Sequence, residues 1–503
     1  MLDLPVEIWV IIFDLALDEP SDHVPIFEPT SFAESSWFKA PNSTGWALRS
    51  SQDLLSSSLR ERYSLLKAIS STCRVWRQIA AEYLFKVLYF DDPSALQKLC
   101  AALDNDRRLG KWARRIHITR YYAPGGHTPS HMQDVLVSII RHCRKLESFV
   151  VDWPVGLSFL PIVDALCTYC PRTLQTLHLN VPSECISGVI WALDSLSSLV
   201  SIHIEFSGKV NEGVHLGAAS GLELTFPSVK QLSLRGFFAD FVEEAISWHF
   251  PCLDTLSLDY LSYRDDFPDI MEFLHNHGEN LTYLDIDCIP ILDVAGILDL
   301  CPNLVTFAFN PDWRLPVNDL SQASTLVRSP HRNIQTIGCH QLLHAFGVGI
   351  AATRVIDPYT SNFYRRSNDL NFAALNKSNF PKLQSIRILN RSLLRDLEAS
   401  NGPDEVCYER WERWWKQCAS QGVKLQDCTG ADLGNLPEVD DVTSEYEPED
   451  EPEEVPATNY STGSHLYAND TLTIIRDLLQ ECRRFHTGTS GYTYGMAHAQ
   501  QGY

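Results

Sequence analysis

The chain has 503 residues, 45% of them hydrophobic and 11% aromatic, with 14 cysteines and a formal net charge of -22. That much apolar material exceeds one ordinary domain and predicts at least two folded units. The acid excess argues against nucleic acid or an anionic membrane as partner, since both call for basic stripes. Cysteines scattered without dense spacing predict reduced thiols in the cytoplasm or nucleus rather than a disulfide scaffold. The start lacks a basic leader and no run of about 18 uncharged apolar residues occurs, so neither a secretory signal nor a membrane span is expected.

The opening segment is helical by period. Pro5 suits a first turn, Asp3 stands where a cap would be, and Glu7 complements the positive end of the helix dipole. Ile8, Ile11, Ile12 and Leu15 fall on one face, widened by Trp9 and Phe13. A second helix is expected over about 60–81, with Leu65, Leu66, Ile69, Cys73, Trp76, Ile79 and Ala80 at helical spacing. From periodicity alone, the two could simply pack on each other as a structural start.

The residue pattern resembles the F-box family. Leu4, Pro5, Glu7, Ile8, Ile12 and Phe13 match the first half of that family's motif, and Cys73, Arg74, Trp76 and Leu84 match the second. The resemblance implies docking of a Skp-type adaptor of a cullin-based ubiquitin ligase through Leu4, Pro5, Glu7, Ile8, Ile12, Phe13, Cys73, Trp76 and Leu84. Pro5 and Trp76 are 71 positions apart, wider than the family's usual spacing. The insertion responsible, at about 19–59, is rich in Pro and Ser yet carries Phe27, Phe32, Trp37, Phe38 and Trp46, so it is expected to pack in part against the body. It ends in Trp46-Ala47-Leu48-Arg49-Ser50-Ser51, which resembles a stretch found in basidiomycete F-box proteins.

Beyond residue 90 an L-x-x-L-x-L unit repeats at Leu146/Phe149/Val151, Leu174/Leu177/Leu179, Leu199/Ile202/Ile204, Val229/Leu232/Leu234, Leu253/Leu256/Leu258, Leu281/Leu284/Ile286 and Leu304/Phe307/Phe309. Successive first positions lie 28, 25, 30, 24, 28 and 23 residues apart, the period of leucine-rich repeats. Weaker copies begin at Ala113, Ile334 and Leu383. Prolines 171, 227, 251, 302 and 381 precede the pattern and would end a helix just before a strand. Helical patterns over 131–142, 160–169, 185–193, 241–249 and 270–277 alternate with these strands. The expected fold is α/β, an N-terminal helical module followed by a right-handed solenoid with a parallel inner sheet and outer helices. The 49-residue interval from Ile334 to Leu383 predicts a degenerate repeat or an inserted loop.

Strand residues alternate between faces. The inner wall would therefore carry His178, His203, Glu205, Arg235, Asp259, Tyr283, Asp285 and Asp287 as candidates for binding a protein target, its acidity favouring a basic partner surface. Farther on, Trp411, Trp414, Trp415 and Cys418 at helical spacing, then Gly422 and a short alternating strand, predict a terminal cap. The expected domains are 1–90, the helical module; 91–430, the capped repeat array; 431–465, an acidic disordered linker; 466–485, a short amphipathic helix; and 486–503, a disordered tail.

No catalytic, cofactor or metal motif is evident. Cys167 and Cys170 have C-x-x-C spacing but no second pair, and His275, His277 and His340 lack a ligand set. The expected function is a non-catalytic ubiquitin-ligase substrate receptor. The alternatives are an interaction scaffold with a degenerate F-box, and a hydrolase, which would need a deep pocket with convergent His, Ser or carboxylate groups.

Overall fold

The computed structural model describes residues 5–17, 30–39, 45–120, 128–208, 216–260, 270–287, 293–312, 326–352 and 358–436. Leu4, Asp3, Phe27, the acidic stretch and the helix expected over 466–485 lie outside the described residues.

Helix α1 (Val6–Leu17) starts directly after Pro5, whose carbonyl accepts from the Ile8 and Trp9 amides. A hairpin follows, β1 (Ser36–Lys39) and β2 (Trp46–Arg49), paired antiparallel. The single helix expected over 60–81 is two helices, α2 (Ser51–Thr72) and α3 (Arg74–Lys86). Ser50 and Asp53 form a capping box that starts α2, satisfying two orphan donors reciprocally. Cys73 is extended (φ -157, ψ 171) and its sulfur accepts from the Trp76 amide, so it ends one helix and caps the next.

The rest of the described chain, up to residue 426, alternates strand and crossover. The elements are β3 (Val87–Phe90), α4 (Pro93–Asn105), β4 (Arg115–Ile118), α5 (Pro129–His142), β5 (Ser148–Pro154), α6 (Phe159–Tyr169), β6 (Thr176–Pro182), α7 (Ile186–Ser195), β7 (Ser201–Ser207), β8 (Gln231–Gly236), α8 (Ala239–Ala245), β9 (Thr255–Tyr260), α9 (Ile270–His277), β10 (Tyr283–Asp287), α10 (Val294–Leu300), β11 (Thr306–Phe309), β12 (Thr336–Cys339), α11 (Pro358–Ala374), β13 (Ser385–Ile388), α12 (Arg391–Ala399), α13 (Glu405–Ser420) and β14 (Lys424–Gln426). The fold is α/β, with β3 to β14 forming one twelve-stranded sheet, every strand parallel to and beside its neighbour in sequence. All ten strands expected from the repeat are present, as is β14, the short alternating strand expected after Gly422, and β3 extends the sheet at the other end.

Register follows the repeat. Leu177, Ile202, Leu232, Leu256, Leu284, Phe307, Ile337 and Ile386 stand side by side across the sheet. These residues are buried in one continuous core with the apolar faces of the crossover helices. The long interval after Ile334 adds no further strand to the sheet among the described residues, and turns over residues 340–348 with a short 3-10 segment over Gly349–Ala352 precede its helix. β12 pairs directly with β13, and the 17-residue helix α11 occupies the crossover. At the far end Trp414 stacks on Phe372 at 4.0 Å and meets Phe346 edge-on, closing the core as the Trp-rich stripe predicts.

The described part of the insertion is a strap reaching the opposite end of the array. Trp37 Nε1 donates to Asp427 Oδ2 at 2.7 Å, the Ser35 hydroxyl donates to the Cys428 carbonyl, and Arg395 donates to the Leu48 carbonyl. Phe32 lies over Gly338, where a Cβ would come within 2.9 Å of its ring, between Tyr283 and Arg387. Trp37→Ala removes a buried indole and its hydrogen bond, with an expected loss of roughly 3–5 kcal/mol. Trp37→Phe keeps most of the packing and should lose about 1–3 kcal/mol by leaving Asp427 Oδ2 without its donor, while Oδ1 keeps the Thr429 amide and hydroxyl. Urea unfolding of the two variants checks both the loss and its order.

Candidate functional site

Between the strap and the sheet face opposite the helices lies a polar cavity of about 450 Å³. Its wall includes Asp152, His178, His203, Glu205, Arg235 and Asp259 from successive strands, and its roof includes Thr30, Ser31, Ser51 and Gln52. His340 and Arg391, which follow β12 and β13, close the far side. Five of the eight wall candidates, His178, His203, Glu205, Arg235 and Asp259, therefore meet at one site.

The other three are taken up internally, which corrects the expectation of an open acidic wall there. Asp285, 1% exposed, accepts from the Ser31 amide at 3.2 Å and from the Tyr283 hydroxyl at 3.3 Å. The Tyr283 ring packs against Phe32 of the strap. Asp287 accepts from the Gln341 side chain at 3.0 Å. The physical reason is a buried cation: His340 Nε2 lies 2.6 Å from Asp285 and its Nδ1 3.6 Å from Asp287. Burial opposes charge on His340, but the two aspartates outweigh it and raise the imidazole to about 9. Burial likewise opposes charge on Asp285, yet His340 and the Ser31 amide hold it below the ordinary carboxylate range. Gln341 and Leu342 follow with φ of 52° and 56°, a left-handed turn uncommon for such side chains.

At the other end, three of four consecutive strands place histidine at the same inward position: His117, then Val150, then His178 and His203. His117 Nε2 lies 2.7 Å from Asp152 Oδ2, which also accepts from Gln52 at 3.0 Å. The His178 and His203 rings meet edge-on, 4.0 Å apart. Burial disfavours charge on both, with Arg235 adding to it, so His178 falls well below its ordinary range and His203 to about 3. These are neutral imidazoles. Arg235 Nε lies 3.0 Å from Asp259 at the half-exposed rim.

Alternation along the strands also places Asp152 on the inner wall, His340 reads in sequence only as an isolated histidine, and sequence reasoning missed Gln52, His117 and Arg391. The recurrence of His at one repeat position was a readable signal; the approach of Gln52 and His340 depends on the strap and had none. The hydrolase alternative calls for convergent imidazoles and carboxylates, and these are present. However, no hydroxyl or thiol is hydrogen-bonded to His203 among the described residues. No group of three His, Cys, Asp or Glu among the described residues could hold a metal ion. The C-x-x-C thiols are structural donors: Cys167 to the Ala192 carbonyl and Cys170 to the Cys143 carbonyl, with burial pushing Cys170 up to about 11.

At the helical module, the candidates divide. Phe13 and Leu84 are buried, and Trp76 is wedged against Trp9 at 4.6 Å and Phe13 at 5.3 Å. Pro5, Glu7, Ile8 and Ile12 face outward. Among the described residues, no helix is long and apolar enough to cross a membrane. In comparison with known proteins, no family model matches this chain and no curated protein is significantly similar to it in sequence.

The two titrating ends of the cavity set a pH window. His340 binds its proton more tightly folded than at its free value of 6.5, so its contribution is complete below 6.5 and lost as pH rises toward 9. His203 binds its proton less tightly when folded, so stability falls as pH drops from 6.5 toward 3. The urea midpoint should decline on both sides. His340→Gln should flatten the alkaline limb and His203→Gln the acid limb.

Proposed function

We propose that this chain is a substrate-recognition subunit of a cullin-type ubiquitin ligase, its F-box-like helices docking a Skp-type adaptor and its repeat array holding a protein target. The observation that carries the proposal is the outward apolar face of α1. Val6, Ile8, Ile11, Ile12 and Leu15 are 37–75% exposed, while α2 and α3 add exposed Leu65 and Val75. Monomeric surfaces rarely keep such a run of aliphatic side chains unless a partner covers it.

The wide spacing of the two motif halves is no obstacle to their meeting, because the insertion leaves Trp9, Phe13 and Trp76 in one aromatic cluster. The array fits a right-handed leucine-rich-repeat solenoid, with one parallel strand per unit at the leucine-rich period. A rigid array of this kind would fix the separation between a bound target and the ubiquitin-loaded enzyme.

Co-expression with a Skp-type adaptor provides the test. The full chain should capture the adaptor, and Ile8→Glu with Ile12→Glu should reduce capture at least tenfold, because a charge in a desolvated apolar contact has no partner. Val406→Glu, an equally exposed apolar site on α13 (77%), should leave capture unchanged. No capture by the wild-type chain would overturn the ligase reading in favour of a scaffold with a degenerate F-box.

A further inference from the structure

The cavity end at β5 to β7 carries Asp152, His178, His203 and Glu205: two carboxylates and two imidazoles held neutral. Proteins satisfy nearly all buried polar groups, and each exception calls for an explanation. Here the exceptions converge. Asp152 Oδ1 and His203 Nδ1 are buried without a hydrogen bond, though His203 is only 8% exposed and lines the cavity. The Glu205 carboxylate lines the same space and makes no hydrogen bond or ion pair among the described residues.

The nearby cations are committed elsewhere. Arg235 is held by Asp259 at 3.0 Å, and His340 by Asp285 and Asp287. Arg391 stands on the far side, beside the Cys428 thiol. An anionic ligand at the β5 to β7 end would therefore face the Glu205 carboxylate and that of Asp152, of which Oδ2 is already met by His117 and Gln52 while Oδ1 faces the neutral His178 ring at 3.5 Å. A cation would find both a counter-charge and acceptors, in a setting where a neutral imidazole can accept through its bare nitrogen.

We propose that this end of the cavity binds a single organic cation, a guanidinium or primary ammonium group, with Glu205 and Asp152 as counter-ions and His203 Nδ1 as hydrogen-bond acceptor. The volume admits one side chain or one small amine rather than a folded element. The proposal deepens the receptor reading by naming the group of a target that the sheet face would hold. It rests on that reading only for the source of the cation, since a free amine would use the same three residues.

Two probes separate the sources: agmatine, and an end-blocked peptide with one central arginine and no other charge. Each is titrated calorimetrically into the full chain at neutral pH. Saturable one-to-one binding is expected, weakened at least tenfold by Glu205→Gln, which removes the charge at constant shape. Glu279→Gln, an exposed carboxylate away from the cavity, should change nothing, and neither variant should alter adaptor capture. Binding of the peptide alone supports a protein side chain as ligand, and binding of agmatine alone supports a free amine. Failure of both probes at millimolar concentration, or equal binding by Glu205→Gln and wild type, would overturn the proposal whether or not the adaptor is captured.

Discussion

The constraint on which the structure depends is the register of eleven parallel strand pairings, common to the repeat positions and shifted only past Val151 in the pairing of β5 with β6. A parallel ladder fixes which residues stand side by side, and a two-residue alternation fixes which face each occupies. Once Leu177 is beside Ile202 and Ile202 beside Leu232, the polar residues between them must form rows on the other face. His178 beside His203, and Glu205 beside Arg235, follow from the same pairing that builds the core. A slip of one residue in any strand would send leucines to the cavity and charges into the helices. The core and the polar wall are thus two consequences of one register.

A stacked array by itself couples each unit only to its neighbours, so its ends are energetically remote. The strap changes that. Trp37 and Asp427 are 390 residues apart in sequence, yet each doubling of a closed loop adds only about 0.6 kcal/mol of entropy cost. A buried indole with its hydrogen bond recovers more than such increments, and the closure ties the first helices to the last strand. The same crossing buries Asp285 and so requires a cation beneath it. His340 supplies that charge, and the left-handed turn at Gln341 and Leu342 holds it in place.

Most of the array was legible because periodicity reports burial directly. The strands, the crossover helices α5, α6, α7 and α9, and the Trp-rich cap over Phe346 and Phe372 all carry their pattern locally. Three features did not. The break at Cys73 lies inside a continuous helical period and depends on a side-chain cap that hydrophobic spacing does not encode. The direct pairing of β12 with β13 could not be inferred from a 49-residue gap, since a long helix and a lost repeat have the same length. The strap's path is set by single notches, above all Gly338 under Phe32, and these exist only once distant strands are aligned. For the same reason, wall residues judged alike in sequence separate into cavity groups such as Glu205 and internal pairs such as Asp285.

The helical module shows why part of an apolar sequence remains outside a core. In α1, Phe13 and Trp9 converge on Trp76, and Tyr83 donates to Asp14 at 2.7 Å. These contacts set the rotation of the helix about its axis. With the aromatic side inward, 100° per residue leaves Ile8, Ile11, Ile12 and Leu15 no route to the same core. Turning them inward would expose two tryptophans and a phenylalanine, which carry more apolar area than the aliphatics they would replace. The outward face of α1 is therefore a consequence of the aromatic cluster rather than of loose packing, and a partner binding there would meet a surface already held in position.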